Sequence, residues 1–119
     1  HDSALEAQLF MHTFGITFCN NSYNEPLKMH TSLIQPHRIE LMITCNKQRK
    51  VTRVRFIKTS YDQAINDYIK ELLENMLTPQ IPASVVTNEV TFPISIELER
   101  VYQSNVVYFV PGNSKRKGY

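Results

Sequence analysis

Glycine is scarce in this 119-residue chain, with three residues in all. A phosphate-cradling loop needs several, placed where the backbone must approach an anion closely, so the P-loop and dinucleotide-binding fingerprints are excluded. Cysteine is limited to Cys19 and Cys45, which lack C-x-x-C spacing, and none of the four histidines stands near enough to either to complete a zinc set. No metal ligand group and no cofactor are therefore expected. No apolar run reaches the roughly 18 residues that a helix needs to cross a bilayer. Ser60 has no neighbouring base, no G-x-S-x-G stretch occurs, and Glu97 and Glu99 on one strand face are too little to assign acid–base work, so a non-enzymatic role is expected. His12, His30 and His37 are scattered and read as loop residues rather than a pH switch. The two cysteines fit either two buried thiols in a reducing compartment or one disulfide in an oxidising one.

Charge of one sign is also missing. The formal net charge is +2, and 42% of residues are hydrophobic, a composition suited to one domain with a single core. Residues 1–60 carry eight Lys or Arg against four Asp or Glu, and residues 61–119 five against seven, so the basic excess is local. It concentrates at Lys47, Arg49, Lys50, Arg53, Arg55 and Lys58, with no acid among them. A nucleic-acid reading of this basic surface lacks stacking platforms, because the one interleaved aromatic, Phe56, points inward. A solvated outer face is the expectation.

What is present is periodicity. In Tyr61–Met76 the residues Ala64, Ile65, Tyr68, Ile69, Leu72, Leu73 and Met76 form one stripe at a period of about 3.6, with Asn66, Asp67, Lys70, Glu71, Glu74 and Asn75 opposite. Ser60 is the expected N-cap, and Pro79 and Pro82 forbid continuation. Asp2–Phe18 opens as a helix with Leu5, Leu9, Phe10, Met11 and Phe14 as its apolar face, and beyond Gly15 helix and short strand both remain open. Asn20–Pro36 reads as a surface loop. Arg38–Cys45 and Val51–Lys58 alternate with a period of two around the polar turn Asn46–Lys50, which predicts a hairpin.

Val90, Phe92, Ile94, Ile96 and Leu98 alternate against Glu89, Thr91, Pro93, Ser95 and Glu97, which predicts a strand with one buried face. Pro93 cannot donate to a ladder, so the strand is expected at a sheet edge with Pro93 turned away from its neighbour. Asn105–Val110 is a further short strand candidate, and Pro111–Tyr119 is expected to be a flexible basic tail after a single domain spanning 1–110. These elements predict an α+β fold: a two-layer sandwich, its antiparallel sheet built on a strand-strand-helix-strand core and preceded by an N-terminal helix.

The order RIELMITCNKQRKVTRVRFIKTS, YDQAINDYIKELLENMLTPQIP, VTFPISIEL, over residues 38–98, resembles the C-terminal domain of the TonB and TolA energy-transducing proteins. The chain departs from that pattern in its Gly-free turn and in everything after Glu99. The resemblance implies a periplasmic protein-interaction domain of a bacterial protein, tethered to the inner membrane by an N-terminal anchor removed from this chain. It would dock an outer- or inner-membrane protein, and no nucleic acid, by strand addition at Val90, Thr91, Phe92, Ser95 and Glu97. The alternative is a periplasmic sensory or accessory domain that heterodimerises with and stabilises a membrane-bound transcription regulator or secretion component. A periplasmic location is oxidising, and with it a Cys19–Cys45 disulfide is expected.

Overall fold

A computed structural model describes residues 3–28, 37–99 and 106–112. Their elements run α1 (Ser3–Asn24), β1 (Leu27–Lys28), β2 (His37–Asn46), β3 (Val51–Lys58), α2 (Gln63–Asn75), β4 (Glu89–Glu99) and β5 (Val106–Pro111). The sheet is antiparallel in the order β1-β5-β4-β2-β3, with both helices on its inner face, and the fold is the expected two-layer α+β sandwich. The β2-β3-α2-β4 core returns its last strand to lie beside its first, over ten paired residues from His37↔Leu98 to Asn46↔Glu89.

The inward row of β2, Ile39, Leu41, Ile43 and Cys45, is fully buried and meets Ile65, Ile69, Leu72 and Leu73 of α2 together with Phe92, Ile94, Ile96 and Leu98 of β4. Helix α2 starts two residues later than a Ser60 cap predicts, because Asp62 is its N-cap: the carboxylate accepts from Ala64 N at 2.9 Å. Ser60 is instead buried, its N–H donating to Asn66 Oδ1 at 2.8 Å. Asn66, expected on the polar side, is thereby 7% exposed and satisfied, while Ala64 lies at the surface.

Helix α1 does not break at Gly15 but continues to Asn24, taking in the start of the expected loop. Phe10, Phe14, Phe18 and Ser22 recur every fourth residue and are all buried, so packing overrides the weak propensity of the Asn-rich end. Leu5 and Leu9, expected on this face, point outward. Tyr68 of α2 bolts the helices together, donating toward Ser22 Oγ at 2.9 Å and Glu25 O at 2.8 Å and stacking on Phe109 at 5.9 Å.

The hairpin turn closes without glycine because Asn46 Oδ1 accepts from Gln48 N and Lys50 N, at 3.0 and 3.1 Å, and Arg49 takes the left-handed conformation at φ 64°. The strand candidate near the C-terminus is β5. Pro111 and Gly112, expected in a mobile tail, belong to the fold, whereas the basic cluster Lys115, Arg116 and Lys117 lies outside the described residues.

Candidate protein-docking edge

Strand β4 alternates its backbone as well as its side chains. Gly112 N donates to Ser95 O at 2.6 Å on the β5 side, and Asn88 O accepts from Lys47 N at 3.3 Å on the β2 side. Because both polar groups of a strand residue turn to one flank and those of its neighbour to the other, Glu89, Thr91, Pro93 and Ser95 direct theirs away from β2. Pro93 therefore places its missing N–H on the flank where β2 makes no demand on it, as the sequence led us to expect.

Among the described residues that flank is covered along half its length. Strand β5 pairs with Ile96–Glu99, so β4 as a whole is an interior strand and the expectation of an edge is corrected for its C-terminal half. Glu97 lies opposite Val110 and its carboxylate accepts from Arg38 Nη2 at 3.3 Å. The same Arg38 nitrogen donates to Gly112 O at 2.7 Å, so one guanidinium clamps the end of β5 onto β4. Ser95 has its carbonyl taken by Gly112, and its Oγ is buried without a partner. On the flank away from β2, no strand among the described residues pairs with the remaining stretch, Glu89–Ile94.

Of the residues predicted there, Thr91 is exposed and shares a 2.8 Å hydroxyl contact with Thr44, and Val90 is half-buried. Phe92 belongs to the core: its ring meets Phe10 edge-on at 5.1 Å and Phe14 at 5.0 Å. Its contribution at the edge is steric support from below. Two depressions flank the open stretch and share Met11 and Pro93. One, of about 470 Å³, lies between the first turns of α1 (Ala7, Phe10), Pro82, Val85 and Val90. The other, of about 700 Å³, runs past His12 and Gly15 to Ile94, Ser95 and Glu40.

The opposite edge of the sheet, β3, is built differently. Its pairing with β2 slips at two places, and Arg53, Arg55 and Lys58 stand exposed along it. Irregular register and a row of cations are how sheets discourage edge pairing. The basic surface is also divided. Lys47 Nζ donates to Val85 O at 2.9 Å and Arg49 Nε to Thr78 O at 2.8 Å, holding the segment after α2, while Lys50, Arg53 and Arg55 remain at the surface.

The cysteines are free, and the expected disulfide is corrected. Cys45 pairs opposite Val90, whereas Cys19 borders Val110 and Pro111, which pair with Glu97 and Ile96. The intervening length of β4 is on the order of 20 Å, against a disulfide Cα separation of about 4.4–6.8 Å. Burial pushes the Cys19 thiol up to about 12 and the Cys45 thiol up to about 11, the latter despite a hydrogen bond with Thr78 that acts the other way. Burial likewise raises Tyr68, against the opposing Ser22 bond. Among the described residues no group of three or more His, Cys, Asp or Glu is placed to hold a metal ion.

Sequence reasoning missed the Arg38–Gly112 clamp, whose partners stand 74 residues apart; the Pro-Gly pair at 111–112 was its only local signal. No protein-family model, no curated protein and no solved structure matches this chain.

Proposed function

We propose that the chain is a non-enzymatic protein-interaction domain that docks its partner by accepting an extended segment along the Glu89–Ile94 half of β4. The observation that carries this reading is the contrast between the two flanks of the sheet. Edge β3 carries cations and register slips, while the Glu89–Ile94 half of β4, unpaired among the described residues on its flank away from β2, presents backbone groups between two depressions with no cation on the strand. Main-chain bonds to Thr91 and to the Pro93 carbonyl would supply affinity, and the depressions would select alternate side chains of the added strand.

The resemblance to the TonB and TolA domains supports the same mode of docking, and with it a periplasmic setting and an inner-membrane tether for the parent protein. The compartment rests on that resemblance alone, because free thiols lend an oxidising location no support.

A photo-cross-linking residue at Glu89 tests the reading in living bacteria. The expected result is an adduct to one envelope protein that Thr91→Pro abolishes and Thr91→Val retains, since valine loses the Thr44 hydroxyl contact but keeps the outward N–H. An adduct indifferent to Thr91→Pro, or formed instead from position 55 on β3, overturns it.

A further inference from the structure

Helix α1 is apolar on two opposite sides. Phe10, Phe14 and Phe18 face the sheet, yet Leu5, Leu9, Ile16 and Tyr23 are 60, 63, 39 and 67% exposed. With exposed His12 and half-buried Cys19 these residues follow one another in steps of four and three, the spacing of a heptad seam. On a 3.6-residue helix they fall within an arc of about 80°, nearly opposite the phenylalanine row.

We infer that α1 pairs with α1 of a second copy of this chain, parallel and in register, as a short two-stranded coiled coil. Alternation at 3.5 residues matches a facing helix, which supplies holes at that repeat. The positions flanking the seam, Glu6, Thr13 and Asn20 on one side and Gln8, Gly15 and Ser22 on the other, contain a single charge, so no like-charged rows oppose self-pairing. His12 then sets the orientation. In a parallel, in-register pair it meets His12 of the second copy, and one imidazole can donate to the other; reversed, each His12 lies against Ile16 with no polar partner.

The interface is modest in area. Covering the exposed parts of Leu5, Leu9, Ile16 and Tyr23 on two copies removes about 800 Å² of surface, and exposed Gln8, His12, Thr13 and Asn20 bring the total toward the lower bound of about 1,200 Å² for specific pairs, while Gly15 and Ser22, buried in the single copy, add none. A cavity of about 250 Å³ beside Ile16, Cys19, Tyr23 and Val110 adds a hole for a knob of the facing helix. An interface of this size suits a reversible dimer rather than an obligate one.

Sedimentation velocity over a dilution series up to about 100 µM tests this. The wild-type chain is expected to show a monomer–dimer equilibrium. Leu9→Glu and Leu9→Lys should each weaken it by more than about tenfold, with the urea midpoint of the monomer unchanged because the side chain is already exposed in the single copy. Mixing the two variants should restore a dimer, since Leu9 faces its own equivalent only in the parallel, in-register pair. A wild-type chain that stays monomeric throughout, or a dimer that Leu9→Glu leaves intact, overturns the inference. Failure of the mixed variants to associate overturns the parallel arrangement.

Discussion

Replacing Gly112 with alanine probes the close contact that holds the end of β5 against β4. A Cβ at this position would stand 2.5 Å from Ser95 Oγ, 2.8 Å from Ser95 Cβ and 2.6 Å from the Ser95 carbonyl carbon. Side-chain atoms can turn aside, but the carbonyl carbon belongs to a strand paired on its other flank with β2, so the clash is relieved only by lifting residue 112. Lifting it breaks the Gly112 N bond to Ser95 O and the Arg38 bond to Gly112 O. A neutral backbone bond contributes about 0.5–1.5 kcal/mol and one from a charged donor about 1.5–3 kcal/mol. Because the Arg38 side chain is 47% exposed, its share belongs at the lower end, and the expected loss is about 2–3 kcal/mol. In urea, with a slope of about 1.5 kcal/mol per M, the midpoint should fall by roughly 1.5–2 M. Amide exchange should accelerate along β5 while β2 and β3 keep their ranking. Adding Ser95→Gly should recover only part of the loss, because the backbone carbon remains in the way. A midpoint unchanged within error would refute the clamp as a feature that holds the end of β5 on β4.

The core was legible in the sequence because its signals are periodic and local. The stripe Ile65, Ile69, Leu72, Leu73 and the alternations in β2 and β4 each demand one buried face, and the structure buries those faces against one another. The docking edge was half legible. Pro93 revealed which flank of β4 lacks a donor, but coverage of that flank by β5 depends on a pairing set by the Arg38 clamp across 74 residues, which no local pattern encodes. Helix α1 misled for a physical reason. Leu5 and Leu9 lie close in sequence to Phe10 and Phe14, and a mixed apolar segment conceals that it carries two stripes on opposite sides. Cys45 ends an inward row, which is equally the position of a small core residue, and here it is one. Its distance from Cys19 is a property of how α1 lies across the sheet, and spacing along the chain does not contain it.

Two further outcomes follow from burial. Leu73→Ala removes a fully buried side chain where α2 meets the sheet and should cost about 2–5 kcal/mol by urea unfolding, whereas exposed Glu71→Ala should stay within about 0.5 kcal/mol; similar values for both would mean that α2 does not seal the core. The second outcome concerns alkaline pH. Folding raises Cys19 to about 12 and Cys45 to about 11 from an ordinary value of 9.0, so above about pH 9 the unfolded chain has released thiol protons that the folded chain still holds. With fewer protons bound in the unfolded state, unfolding free energy must decline as pH rises. The stabilisation is complete below the unfolded value and is lost progressively through about pH 11–12, with Tyr68, also raised by burial, adding to the decline in the same direction. Urea midpoints measured between about pH 8 and 10.5 should therefore fall. The double variant Cys19→Ala, Cys45→Ala starts from a lower midpoint because of the volume it removes, so the informative quantity is its slope against pH, which should be shallower than that of the parent chain. Parallel slopes in the two proteins would show that the thiols do not carry the alkaline loss, and that the burial of Cys19 against β5 has been misread.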